Sequence, residues 1–174
     1  MTQTKKLSLA AMFLALALVL PFLTGQIPQI GSMLCPMHIP ALLCGFFCGA
    51  PWGLLVGFAA PLLRSAIFGM PPMFPTAVSM AFELAAYGAV SGFLYARLPR
   101  RTGSIYAALL AAMLAGRLVW GFVRLLLAGF DVTAFSLTMF WSGAVTTAIP
   151  GILVQLILVP VLVLTLRRHT QSAA

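Results

Sequence analysis

Arg97-Leu-Pro-Arg-Arg-Thr-Gly103 is a short basic knot between two long apolar runs, Thr76–Ala96 before it and Ser104–Ala128 after it. A run of about 20 apolar residues is long enough to cross a bilayer, so the knot reads as a loop joining two membrane spans. Working outward, the apolar runs predict six helices: Leu7–Leu23, Ile39–Cys48, Gly53–Phe68, Thr76–Ala96, Ser104–Ala128 and Phe140–Leu166. Seven of the ten Lys and Arg residues then fall on one side: Lys5, Lys6, Arg97, Arg100, Arg101, Arg167 and Arg168. The three connections on the other side carry none. Lys and Arg are held on the cytoplasmic side during insertion, which predicts cytoplasmic N and C termini in a multi-pass protein of the cell membrane.

Composition agrees. The 174 residues are 62% hydrophobic and 7% charged, against about 25% charged in a soluble domain. The expectation is an all-α integral membrane protein, a six-helix transmembrane bundle forming a single domain over 1–174. No length remains for a soluble catalytic or nucleotide-binding domain. The net charge of +8 follows from topology and from anionic lipid head groups, and nucleic acid is not an expected partner. Lys5 and Lys6 before an apolar core resemble a signal peptide, but no A-x-A-like site follows within Phe22–Ile30, so the first helix reads as retained.

Prolines divide the helices. Gln26-Ile-Pro-Gln-Ile-Gly-Ser32 follows the first, and Gly69-Met-Pro-Pro-Met-Phe-Pro75 follows the third, where residues lacking an N–H donor stop a helix. Gly49-Ala-Pro-Trp52 reads as a tight turn. Trp52, Phe140 and Trp141 suit an interfacial aromatic belt.

Four charges remain at membrane depth: Arg64, Glu83, Arg117 and Arg124. Ionisable groups there are costly and mark functional sites. At about 1.5 Å per residue, Arg64 lies roughly 18 Å beyond the inner end of its helix, and Glu83 roughly 10 Å below the outer end of the next. Arg117 and Arg124, seven apart, share a face with Trp120 and Gly121. Thr76, Ser79, Glu83, Tyr87 and Ser91 recur at spacings of three and four, as do Gly143, Thr147, Gly151 and Gln155. Lipid offers such stripes no partners, so they face inward. One reading is an ion-pair network that locks the bundle. The other starts from three arginines against one carboxylate: a spare guanidinium fork matches a carboxylate or phosphate, which points to an anionic ligand. Tyr87, Trp120 and Phe74 offer surfaces for stacking it.

Other chemistry finds little support. Cys35, Cys44, Cys48 and His38 lack the close ligand pairs of a zinc site; no metal or other cofactor is expected. H-E-x-x-H, G-x-S-x-G and the G-x-x-x-x-G-K-[ST] phosphate loop are all missing, so neither an enzyme nor an ATP-binding chain is predicted. Ala11-x-x-x-Ala15 and Gly53-x-x-x-Gly57 are small-xxx-small pairs that let another helix approach closely, whether inside the bundle or on a partner.

The run Pro61-Leu-Leu-Arg-Ser-Ala-Ile-Phe-Gly-Met-Pro-Pro-Met-Phe-Pro-Thr76, its continuation Met80-Ala-Phe-Glu-Leu-Ala-Ala-Tyr-Gly88, and the Ala11/Ala15 pair carry a family likeness. The chain resembles the substrate-binding S component of an energy-coupling factor (ECF) vitamin transporter. That resemblance implies capture of a vitamin from outside under the segments Thr24–Met37 and Gly69–Pro75. It implies docking, through Ala11 and Ala15, on a membrane coupling subunit that carries two ATPases, and toppling in the bilayer to deliver the ligand inward. Arg64, Glu83, Tyr87, Arg117, Trp120 and Arg124 are the candidate substrate-binding residues, on the depth argument. Charge favours an anionic vitamin, pantothenate first; a pyrimidine or pyridine suits Glu83 and the aromatics. An MreD-like membrane scaffold, a stand-alone permease and a small intramembrane enzyme stay open as other classes.

Overall fold

A computed structural model describes residues 2–24, 35–99, 101–129, 141–142 and 149–172, with side chains through 166 in the last segment and Thr24 by its backbone alone. Every regular element among them is helical: α1 (Gln3–Val19), α2 (His38–Cys48), α3 (Ala50–Phe68), α4 (Val78–Arg97), α5 (Thr102–Leu127) and α6 (Ile149–Ser172). A 3₁₀ turn, Leu20–Thr24, continues α1, and a wide, kinked turn, Met73–Ala77, leads into α4. Five segments are long and apolar enough to cross a membrane, namely Gln3–Leu23, Ala50–Phe68, Met73–Arg97, Thr102–Leu127 and Ile149–Leu166, while α2 is shorter.

Several boundaries differ from the sequence expectation for physical reasons. α1 begins at Gln3 rather than Leu7 because polar residues at a membrane rim continue a helix whose apolar turn has already formed. The turn expected over Gly49–Trp52 narrows to Gly49 alone, whose φ of 93° is open to glycine at no steric cost. Pro51 then sits in the first turn of α3, where its missing N–H has no helical acceptor to lose. Gly69, at φ 71°, closes α3 in the left-handed conformation, its N–H donating to the Ser65 carbonyl at 2.9 Å. The peptide bonds Met70–Pro71 and Phe74–Pro75 are cis. The last helix, expected over Phe140–Leu166, is described over Ile149–Ser172; Trp141 and Ser142 are helical too, and Phe140 and 143–148, including Gly143 and Thr147, lie outside the described residues. So does most of the segment expected to cover the site between Thr24 and Met37.

A seam of glycines holds the centre together. A Cβ on Gly88 of α4 would stand 2.2 Å from the Gly53 carbonyl oxygen of α3, and one on Gly57 would stand 2.2 Å from the Leu84 carbonyl oxygen. Gly45 of α2 meets Gly88 and Ser91 in the same way. Backbones this close leave no room for side chains, and dispersion contacts between them replace the hydrophobic drive that lipid removes. The Gly53/Gly57 pair is therefore spent inside the bundle. The Ala11/Ala15 pair is not: α1 buries Ala10, Phe13 and Ala17, while Ala11 and Ala15 are exposed beside Leu7, Met12, Leu16 and Val19.

Gly53 faces Gly88 and Gly57 faces Leu84, so α3 and α4 run antiparallel. Lys5, Lys6, Arg97 and Arg101 mark one end of the bundle; Gly69–Ala77 marks the other, called here the proline end.

Candidate functional site

The polar stripe of α4 faces inward: Ser79, Glu83, Tyr87 and Ser91 are all buried. Two of them are satisfied locally. The Ser79 hydroxyl donates to the carbonyls of Pro75 and Thr76, both at 2.9 Å, and that of Ser91 to Gly88 at 3.2 Å. Such bonds to the preceding turn are how serine hides its hydroxyl in a helix. Glu83 and Tyr87 reach too far for that. They need partners on other helices, and the site is built around them.

Glu83 is 1% exposed. Its Oε1 lies 2.9 Å from Arg117 Nη1 of α5 and 3.3 Å from His38 Nε2 of α2, ion-pair distances without hydrogen-bond geometry. The glycine before Arg117 makes this approach possible: a Cβ on Gly116 would fall 2.5 Å from the Tyr87 ring. Tyr87, fully buried, meets the His38 ring edge to face with centroids 5.0 Å apart. Arg117 Nη2 also reaches Cys35 Sγ at 3.9 Å. Cys35 stands just before α2 with a φ of 47°, a left-handed conformation that non-glycine residues adopt at a cost. Three helices and the entry to α2 thus converge on one buried carboxylate.

The centre is polar beyond what its own contacts satisfy. Among the described residues, His38 Nδ1 and Nε2, Glu83 Oε1, the Tyr87 hydroxyl, Arg117 Nε, Arg124 Nε and Gln155 Oε1 are buried without a hydrogen bond of good geometry. Native interiors leave few such atoms unpartnered, which marks this cluster as the candidate site. Arg124 is half-buried, its guanidinium 5.5 Å from the Trp120 ring centroid.

The sequence-predicted residues divide into two groups. Glu83, Tyr87 and Arg117 are in mutual reach, with Arg124 and Trp120 further along the same face of α5. Arg64 is elsewhere. It is 3% exposed and donates through Nη1 to the Leu18 carbonyl of α1, with its guanidinium 4.8 Å from the Phe22 ring and 5.4 Å from that of Phe68. Phe74 is 64% exposed, away from the buried cluster. His38 was missed as a site residue because its neighbours in sequence are cysteines, which drew it into a metal comparison. Its usable signal was position, on the first residue of an apolar helix that faces the Glu83 stripe. Among the described residues no three His, Cys, Asp or Glu side chains gather as a metal site. A shallow groove of about 530 Å³ lies at the basic end between α1 and α3, bounded by Thr4, Leu7, Trp52 and Leu55, away from Glu83.

Comparison with curated proteins and with solved structures finds no match. The family model described as "ECF transporter, substrate-specific component" matches residues 5–163. With apolar helices in number and a buried polar centre between them, the chain belongs to the substrate-specific components of ECF transporters.

Proposed function

We propose that the chain captures a small anionic vitamin or vitamin precursor, pantothenate first among them, at the polar centre between α2, α4 and α5. The coarser frame is firm: members of this family are membrane-embedded substrate-binding subunits of transporters, not enzymes, and they work with an ECF module of membrane and ATPase subunits. What supports the finer reading is the distribution of charge. Glu83, the carboxylate among the described residues, is engaged by Arg117 and His38. Arg64 is held by a carbonyl and two rings. Arg124 sits on Trp120 with no carboxylate from the described residues in ion-pair contact, and a ligand carboxylate completes it. Buried polar atoms left open around Tyr87 and His38 suit the hydroxyl and amide groups of such a molecule, and they fit poorly with a sealed scaffold.

The proposed orientation places the basic end in the cytoplasm, with both termini, and the proline end outside. Ligand enters from the proline end. The exposed Ala11/Ala15 face of α1 is the proposed contact with the coupling subunit, which carries two ATPases. Ala11→Trp tests that contact: because Ala11 is exposed, unfolding stability in detergent should change by less than ~0.5 kcal/mol, while co-purification with the module is lost. Unchanged co-purification would remove α1 from the interface.

The anion reading is tested by isothermal titration of wild type and Arg124→Ala with pantothenate and with its carboxamide. A charge-assisted hydrogen bond contributes roughly 1.5–3 kcal/mol, so the variant should lose about 10- to 100-fold in affinity for the acid and little for the amide. Equal losses for both would exclude the pairing of Arg124 with the carboxylate.

A further inference from the structure

His38 stands at the polar centre, 2% exposed, and the groups that face it come from several helices. α4 brings Glu83, whose Oε1 lies 3.3 Å from Nε2, and Tyr87, whose ring meets the imidazole edge to face. α5 brings Arg117, 2.9 Å from the same Oε1, with Arg124 two turns further along its helix. Cys35, before α2, lies within 3.9 Å of Arg117. The other elements packed on α2 bring no further charge to it. Arg64 of α3 turns to Leu18, Lys5 and Lys6 of α1 mark the basic end, and α6 has no titratable side chain through Leu166. Tyr95 and Arg97 of α4, and Cys44 and Cys48 of α2, lie further toward the basic end.

Charge and hydrogen bonding then point the same way. With a proton on His38, the empty centre would hold three cations, counting Arg117 and Arg124, against the carboxylate of Glu83. With a small acid bound, it holds three cations against two carboxylates. Like charges oppose protonation of a base and opposite charges favour it, so the proton is easier to hold when the acid is present. Both ring nitrogens are buried without a hydrogen bond of good geometry. Neutral imidazole offers one donor and one acceptor, whereas the protonated ring offers two donors. Acceptor oxygens are what a carboxylate guest supplies.

We propose that His38 takes up a proton when the acid binds, with Nε2–H toward Glu83 and Nδ1–H toward an oxygen of the guest, so that acid and proton are captured together. The proton comes from the buffer to the imidazole; the only bond made is N–H, and no electrons are transferred. The inference rests on the reading of the polar centre as an anion site and concerns how that site is regulated. Its sign is fixed: a site that gains a proton on binding holds its ligand more tightly as pH falls, and loses that advantage as pH rises through the titration of the loaded site. Histidine changes charge between about pH 5 and 8, while a carboxylic acid ionises at roughly pH 4. The guest therefore stays charged across the range in which His38 responds.

The test is isothermal titration of the whole chain in detergent with pantothenate, in PIPES and in imidazole, buffers of small and large ionisation enthalpy. In wild type the heat should differ between the buffers by the uptake of about one proton per ligand or somewhat less, and affinity should fall roughly tenfold from about pH 5.5 to 8. In His38→Gln the heat should be the same in both buffers and affinity flat with pH, which loss of a packing partner for Tyr87 would not by itself produce. His169→Gln, which removes the other histidine of the chain, should keep the uptake, and the uncharged carboxamide should cause none. If His38→Gln fails to fold, the His169→Gln chain labelled with 13C-histidine gives the same answer: pantothenate should move its single imidazole resonance toward the charged form. Binding with equal heats in both buffers, uptake that persists in His38→Gln, or an unmoved resonance overturns the proposal and leaves the anion site standing. Pantothenate that binds at no pH refutes the anion reading and this proposal with it.

Discussion

Replacing Glu83 with alanine should abolish ligand binding and destabilise the bundle by about 3–5 kcal/mol, the cost of leaving one partner of a buried ion pair alone. Arg117 cannot shed its proton to escape that cost. Glu83 is 1% exposed, and Arg117, the other half of the 2.9 Å contact, is mostly buried, so water cannot reach in to replace the carboxylate. His38 loses the same neighbour. The binding defect has a separate cause: Glu83 holds Arg117 and His38 in place around the polar centre, and without it that frame is lost. A double variant, Glu83→Ala with Arg117→Met, removes both charges. It should regain much of the stability, because exchanging a buried ion pair for apolar side chains is often neutral or better, yet binding should not return. Chemical denaturation of the two variants in a common detergent decides it. A double variant as unstable as Glu83→Ala would mean that the pair does not carry the effect.

Gly88→Val should prevent the native helix packing altogether. The nearest atom to the added Cβ is the Gly53 carbonyl oxygen at 2.2 Å, followed by further Gly53 backbone atoms. A flexible side chain can swing away from such a clash, but a backbone carbonyl inside a helix cannot. α3 and α4 must separate, and the contacts of Gly57 with Leu84 and of Gly45 with Ser91 separate with them. Overpacking of even adaptable cores costs about 1–3 kcal/mol; here several close backbone contacts are lost together, so the total exceeds that range. In a chain of this length each kcal/mol shifts the melting temperature by about 2–4 °C. Gly88→Val should therefore yield aggregated or protease-sensitive protein, whereas Gly103→Val, at a glycine with open space around it, should leave melting unchanged. A Gly88→Val protein that melts like wild type would show that α3 and α4 do not cross at this point.

Both predictions rest on features that the sequence exposed unequally. The stripe of Ser79, Glu83, Tyr87 and Ser91 is legible by spacing alone, since lipid forces polar faces inward, and the helices were legible because apolar length is an insistent signal. Contacts between helices are a different matter. Gly53-x-x-x-Gly57 and Ala11-x-x-x-Ala15 look equivalent as strings; only the rotation of each helix about its axis puts the first against Gly88 and Leu84 and the second on the surface. The same holds for the arginines. Depth along the chain singled out Arg64 with the other buried charges, but depth says nothing about direction, and Arg64 turns toward Leu18. The partnership of Glu83 with Arg117 rather than Arg124 depends on Gly116, which lets α5 come close at that level. His38 was hidden by its neighbours Cys35, Cys44 and Cys48, and Cys35 itself enters the site only because its backbone turns left-handed before α2.

The central claim is that the polar centre holds a small acid. Native mass spectrometry of the whole chain, purified in mild detergent from cells grown in rich medium, tests it most directly. A bound small acid of a single mass should appear, released on activation and missing from Arg124→Ala. A ligand-free spectrum, together with no thermal shift across a panel of vitamins, would contradict it.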